Sequence, residues 1–241
     1  REAARPMNWD ELPGLFPALA EPERWLPLLK AHLAYIAEAG EHTRVTAVAP
    51  DVAIQRQYAE SLETWRIAVE ALGAAPPEVV DVGSGGGYPG LVVACVAPET
   101  RVSLVEPLQK RARLLEAVAS AVGLANVEVF AQRAEEAGRG RLRETATLVT
   151  ARAVAALPEL LEYTTPFARA GGIIALPKGS AMAEELAAAT SAMRELGCEP
   201  MDSVAMRPAI SKTVSVALLR KVAGTPERYP RRPGVPGKRP L

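Results

Sequence analysis

The apolar positions of the chain change rhythm once. Between residues 51 and 72, Ile54, Tyr58, Leu62, Trp65, Val69 and Leu72 recur every three or four positions, which predicts one buried stripe on a long helix. Asp51 is placed to cap its start and Gly73 to stop it. An earlier stripe, Trp25, Leu28, Leu29, Leu33 and Ile36, predicts a helix ending near Gly40. After Pro76-Pro77 short β-branched runs alternate with helical stretches, the pattern of a doubly wound, mostly parallel sheet. The expected strands are 79–82, 102–106, 127–130, 147–150, 172–176 and 213–219. A further strand at 204–206 would follow its neighbour without a helix and so form an antiparallel edge. The expected helices are 89–97, 109–122 closed by Gly123, 158–169, and 180–196 closed by Gly197. The chain thus divides into a helical extension packed on the core (1–77), an α/β domain (78–222) and a tail (223–241). Five prolines and three glycines leave that tail without a core of its own.

Composition narrows the class. Hydrophobic residues make up 49% and charged residues 23%, the balance of a globular chain. Two cysteines, Cys95 and Cys198, and two histidines, His32 and His42, cannot build a disulfide framework or a multi-ligand zinc site, so no metal is expected. The longest uncharged stretch, 82–98, holds five glycines and two prolines, so no membrane span is expected either. Reduced cysteines and the lack of a recognisable signal peptide predict a cytoplasmic protein. Charge is balanced overall but unevenly placed: residues 1–100 carry 7 basic and 14 acidic side chains, residues 220–241 carry 7 and 1. A basic end of this kind suits a polyanion partner, and it also suits a solvated terminus.

The stretch that carries chemistry is Val79-Val80-Asp81-Val82-Gly83-Ser84-Gly85-Gly86-Gly87-Tyr88-Pro89-Gly90. A buried strand runs into a glycine turn and then a helix, which lets a nucleotide-like ligand lie against backbone at the carboxyl end of a sheet. Glu106, ending the next strand, can accept hydrogen bonds from both ribose hydroxyls of an adenosine. Two cofactors fit. Gly85-x-Gly87-x-x-Gly90 satisfies the dinucleotide pattern, and Glu106 lies 21 residues beyond Gly85, so NAD and an oxidoreductase remain open. Asp81 would repel a pyrophosphate but suit the ammonium and sulfonium of S-adenosylmethionine, which favours the methyl donor. Asp81 bonded to turn amides would be compatible with either.

The run 81–90 resembles the cofactor loop of the glucose-inhibited division protein B family, guanine-N7 methyltransferases of bacterial small-subunit ribosomal RNA. Thr150-Ala-Arg-Ala-Val-Ala-Ala-Leu157 is similar to its Ser-Arg-Ala motif, and Leu176-Pro-Lys-Gly179 to its later Lys-Gly. Arg56-Gln-Tyr-Ala-Glu-Ser-Leu62 resembles its basic-His…Asp-Ser-Leu helix, and Tyr229 to Leu241 its proline-basic tail. The family's Asn-Leu-Thr is Arg44-Val45-Thr46 here, its histidine is Gln57 and its aspartate Glu60.

The resemblance implies a class I, Rossmann-like methyltransferase: an α/β, doubly wound, mostly parallel seven-stranded sheet with a helical N-terminal extension. It implies S-adenosyl-L-methionine as cofactor, held by Asp81, Gly83, Ser84, Gly85, Gly87, Tyr88, Pro89 and Glu106. Ala134 and Glu135 would meet the adenine edge, and Arg152 the cofactor carboxylate or an RNA phosphate. Arg133 and Arg152 are the candidate catalytic residues, in a positioning role, since guanine N7 carries a lone pair and no proton and needs no general base. Arg56, Arg133, Lys178, Lys212, Arg228, Arg231 and Arg232 are the candidate RNA contacts. The expected partner is small-subunit ribosomal RNA or the 30S particle, bound by a monomer. A non-catalytic RNA-binding protein on the same fold remains the third alternative.

Overall fold

The structure, a computed structural model, describes residues 6–40 and 48–241. Arg44, Val45 and Thr46 lie outside the described residues, as does His42. The helices are α1 (Leu12–Leu15), α2 (Pro22–Gly40), α3 (Glu60–Leu72), α4 (Gly90–Val96), α5 (Gln109–Val122), α6 (Ala134–Ala137), α7 (Leu157–Thr164), α8 (Met182–Ala188), α9 (Thr190–Leu196) and α10 (Val235–Lys238). The strands are β1 (Glu78–Val82), β2 (Arg101–Val105), β3 (Val127–Phe130), β4 (Ala146–Ala151), β5 (Ala168–Lys178), β6 (Cys198–Pro200), β7 (Val204–Ala205) and β8 (Ser215–Lys221). The sheet runs β3-β2-β1-β4-β5-β8-β6, with β7 paired to β8 off this path. β1 to β5 are parallel to one another, and β8 is antiparallel to β5, β6 and β7.

Both faces of the sheet are covered, which is why its strands read as nearly continuous apolar runs. Leu148, Ile173, Val216 and Leu218 join one core, while Val149, Ile174, Ala217 and Leu219 join the other, alternating as a pleat requires. On the first face the stripe residues Trp25, Leu29, Tyr58, Leu62 and Trp65 pack with Leu91, Leu104 and Leu115. The extension therefore supplies one wall of the sheet's own core. On the second face Leu157, Leu160 and Leu161 of α7 pack with Phe167, Leu196 and Tyr229.

Four elements differ from the sequence expectation. The helix expected over 51–72 opens with a 3-10 turn (Pro50–Val52) and a π-helical segment (Ile54–Ala59), becoming α-helical at Glu60. The helix expected to reach 169 stops at Thr164 and passes into a 3-10 turn over Thr165–Phe167, because Pro166 has no N–H to continue the α-helical ladder. The stretch 180–196 is two helices meeting at Ala189. The expected strand at 204–206 is present as Val204–Ala205, antiparallel to β8, but the sheet has eight strands rather than seven: Cys198–Pro200 was not expected, because with one buried residue and a proline at the sheet edge it has no alternation to read.

The tail also differs from its expected lack of a packing role. Tyr229 and Pro236 are buried, and the Arg143 guanidinium donates to the carbonyls of Tyr229 (2.9 Å) and Thr225 (2.6 Å). Arg139 donates to Pro230 at 2.9 Å.

Candidate active site

The turn after β1 is built by hydrogen bonds that aim its open side outward. Gly83 N–H donates to the Val105 carbonyl at 2.8 Å, and the Ser84 hydroxyl to the Asp81 carbonyl at 2.9 Å. Asp81 is fully buried and points into the protein: its carboxylate accepts the Gly90 amide at 3.1 Å and the Thr150 hydroxyl at 3.0 Å. This corrects the expectation that Asp81 faces the cofactor. It braces the first turn of α4 against β1 and β4, the other role that the sequence allowed. Burial pushes its pKa up to about 6, against the pull of Thr150, Ser84, Gly90 and Arg152. A Cβ on Gly90 would stand 2.3 Å from Leu104 Cδ2 and 2.7 Å from Asp81 Oδ2, so only glycine permits this approach.

Gly85, at φ +55°, has an open side: a Cβ there would find nothing nearer than the Gly83 carbonyl at 3.8 Å. Its amide donates to one oxygen of Glu106 (2.9 Å), while the other oxygen accepts the Leu108 amide (3.0 Å). Glu106 is thereby fixed at the end of β2 beside the turn, with a further lone pair on each oxygen for a hydroxyl.

Two cavities flank this turn. One, of about 570 Å³, is lined by Gly83 to Gly86 and Tyr88 together with Arg56, Glu60, Arg152 and Lys178. The other, of about 230 Å³, is lined by Val82, Val105, Arg133, Ala134 and Glu135. Gly83 belongs to both, and a Cβ on it would lie 2.7 Å from Val154 Cγ2, so the passage between them is narrow. A ligand with two bulky ends joined by a thin waist fits this shape, with a glycine cradle at the waist.

The candidate cations take different positions. Arg152 donates to the Arg56 carbonyl at 2.6 Å, lies 4.0 Å from Glu60 and sits over the Tyr88 ring at 5.3 Å, so it walls the larger cavity. Lys178 also lines it, but its ammonium is already bound to Glu185 (2.7 Å) and the Ala155 carbonyl (2.8 Å). Arg133 is exposed at the smaller cavity. Glu135 is buried there and accepts the Gly234 amide at 3.0 Å. Lys212 is exposed at a third cavity of about 560 Å³, which shares Arg56 and Glu60 with the first. Arg232 is exposed, whereas Arg228 pairs with Glu195 at 2.9 Å. Arg231 grips buried Glu162 with contacts of 2.6 to 3.0 Å, so its fork is occupied within the fold. The structure does not bring the tail cations into the cavities with Arg56 and Arg152.

Sequence reasoning missed a chain of polar groups behind the turn. His32 meets the Gly86 carbonyl at 2.8 Å, Tyr58 meets His32 at 3.3 Å, and Tyr88 meets Tyr58 at 3.1 Å. The available signal was a polar ring on an apolar stripe: His32 lies between Leu29 and Ile36 on the buried face of α2. Among the described residues no group of three or more His, Cys, Asp or Glu is placed to hold a metal, and no helix is long and apolar enough to cross a membrane.

The model of the family described as rRNA small subunit methyltransferase G matches residues 25–212. The chain is 39% identical over 203 residues to the ribosomal RNA small subunit methyltransferase G of Roseiflexus sp. (strain RS-1), covering 83% of this chain and 86% of that protein. It is 39% identical over 220 residues to the protein of the same name from Symbiobacterium thermophilum, covering 87% of each. A solved SAM-dependent O-methyltransferase from Thermotoga maritima has the same fold at 18% identity and a TM-score of 0.52, covering 80% of this chain and 72% of that one.

Proposed function

The chain belongs to the rRNA small subunit methyltransferase G family, and from that premise we propose that it transfers a methyl group from S-adenosyl-L-methionine to N7 of a guanine in 16S ribosomal RNA. The nicotinamide reading falls with the family assignment. The observation that carries the proposal is the pair of cavities joined at Gly83, with Glu106 fixed beside the turn and Arg152 walling the larger side.

Bound cofactor supplies a methyl group activated on a sulfonium. The residues fit such a ligand. Gly85 leaves its side of the turn open, Glu106 presents two anchored oxygens to the ribose, and the strand and helix ends at Val105, Ala134 and Glu135 form a slot for the adenine. The larger cavity then receives the target base. Guanine N7 attacks with its own lone pair, and no proton leaves, so no general base is required. What the site supplies is alignment, worth on the order of 7–11 kcal/mol when reacting atoms are held in line. Arg152 and Arg133 orient substrate and cofactor from the two cavities. Arg56, Lys212 and the exposed Arg232 hold RNA phosphates, with an affinity that falls as salt rises. The substrate is the RNA or the assembled 30S particle, bound by a monomer in the cytoplasm.

The test is incubation of purified protein and labelled methyl donor with small subunits lacking the modification, followed by mass mapping of the RNA. Label in 7-methylguanosine is the expected result; unlabelled RNA, or label on another atom, would overturn the reading.

A further inference from the structure

Glu60 opens α3 and stands on the seam between the two cavities that share it. Among the described residues lining the 570 Å³ cavity it is the acidic one, facing Arg56, Arg111, Arg152 and Lys178. Its side chain is 10% exposed, and burial raises its pKa against the pull of Arg152, Arg56 and a hydrogen bond from Ser211. The neighbouring buried carboxylate on the same helix is gripped closely. Glu63, one turn along α3, takes five contacts of 2.6 to 3.0 Å from Arg66 and Arg207, whereas the Arg152 guanidinium stays 4.0 Å from Glu60. A desolvated carboxylate held this loosely is costly, and in a cavity meant only for phosphates it would repel the ligand. It suits a ligand edge made of donors.

We infer that Glu60 recognises the target base, its carboxylate accepting hydrogen bonds from N1–H and the N2 amino group of guanine. The inference rests on the guanine-N7 reading of the site. Guanine presents those two donors side by side on one edge and N7 on another, so a base lying across the cavity with its donor edge on Glu60 turns N7 toward the glycine turn. The charge balance favours the same residue. As the carbon–sulfur bond breaks, its electron pair returns to sulfur; as N7 bonds to the methyl carbon, positive charge moves onto the purine and no proton is released. The N1–H donor becomes more acidic, and its bond to the carboxylate strengthens in the transition state. Arg152, 4.0 Å away, favours the ionised carboxylate and so opposes the burial that raises its pKa.

The experiment compares the full-length wild type with Glu60→Ala and Glu60→Gln. The substrates are small-subunit RNA carrying guanosine or inosine, which lacks the N2 amino group, at the mapped position. Affinity for S-adenosylhomocysteine is measured alongside by calorimetry. The wild type is expected to prefer guanosine about tenfold or more, because a site built to bond an N–H rejects the analogue lacking it. In Glu60→Ala the preference should fall to roughly twofold or less, with guanosine methylated about 100-fold more slowly and homocysteine-compound affinity within about threefold of wild type. Glu60→Gln keeps the volume and one acceptor, so its preference should lie between those of the alanine variant and the wild type, and it supplies the readout if the alanine variant does not fold. A retained guanosine preference overturns the inference. A tenfold or greater loss of homocysteine-compound affinity also overturns it, assigning the carboxylate to the cofactor's ammonium. A wild type that fails to methylate guanine N7 overturns the underlying reading before any variant is compared.

Discussion

The imidazole of His32 holds the backbone of Gly86: its Nε2 lies 2.8 Å from the glycine carbonyl, so a helix of the N-terminal extension supports the glycine turn from behind. A carbonyl can only accept, so Nε2 carries the proton and Nδ1 takes the Tyr58 hydroxyl; Tyr58 in turn accepts from Tyr88. The chain ends at Tyr88, a wall of the larger cavity lying under Arg152.

The first prediction concerns acid. Burial pulls the His32 pKa to about 4, partly offset by the Gly86 bond, while the unfolded chain takes up the proton near 6.5. Between these values the unfolded state binds more protons, so His32 lowers stability as pH falls from about 6.5 to about 4, by up to roughly 3 kcal/mol. His32→Gln cannot titrate. Urea unfolding of both proteins should give a stability difference that shifts against the wild type across this window, and a difference independent of pH would refute the assignment.

Glu106 carries the second. Its two oxygens accept the amides of Gly85 and Leu108, so it shapes the turn, and the proposed function also gives it the ribose hydroxyls. Glu106→Ala should weaken S-adenosylhomocysteine binding by about 2 to 3 kcal/mol, roughly 30- to 150-fold, as expected for hydrogen bonds to a charged group. Glu106→Gln keeps one acceptor and should lose less. Equal affinity of all three proteins in calorimetry would place the ribose elsewhere.

How far such residues could be read from the sequence depended on how local their environment is. The glycine turn and Glu106 were legible because a strand, a turn and a helix start occur within twelve residues and the next strand is anchored by its own apolar run. Val79, Val80 and Val82 announce β1 with no help from elsewhere. The inward aim of Asp81 was not legible, since it depends on Thr150, 69 residues away, meeting it across the sheet. His32 and Tyr58 lie 54 and 30 residues from the turn groups they bond, and each reads locally as part of an apolar stripe. The tail misled for the same reason: proline, glycine and arginine suggest a solvated segment until Glu162, hidden in α7, supplies the partner of Arg231.

That pair gives the third prediction. Glu162 is fully buried and bonded by the amide and guanidinium of Arg231, so removing the cation strands a buried carboxylate. Arg231→Ala should destabilise the protein by on the order of 3 kcal/mol, measured by urea unfolding. Replacing Arg228, whose partner Glu195 lies at the surface, should cost much less. Deleting 223–241 should therefore destabilise the fold as well as weaken RNA binding. A truncated protein as stable as the whole chain would show that the tail is a separable arm.

Asp81 gives the last, and its sign is opposite to that of His32. Burial raises its folded pKa from 3.8 to about 6, so between those values the folded state binds more protons than the unfolded one. The group therefore favours folding in acid, and that contribution is lost as pH rises through about 6, leaving a cost of roughly 3 kcal/mol at neutral pH. Asparagine can replace the hydrogen bonds: its oxygen accepts the Gly90 amide and its amino group donates to Thr150, whose hydroxyl reverses. Asp81→Asn should thus be as stable as the wild type or more stable at pH 7, with the advantage shrinking toward pH 4. Asp81→Ala leaves both donors without an acceptor and should be destabilised at either pH. Because the carboxylate faces α4 and β4 rather than the cavity, the asparagine variant should also keep S-adenosylhomocysteine affinity within about tenfold. If it instead loses cofactor binding outright while remaining folded, the buried charge is felt through the turn by the ligand's cation, and the structural role assigned to Asp81 is incomplete.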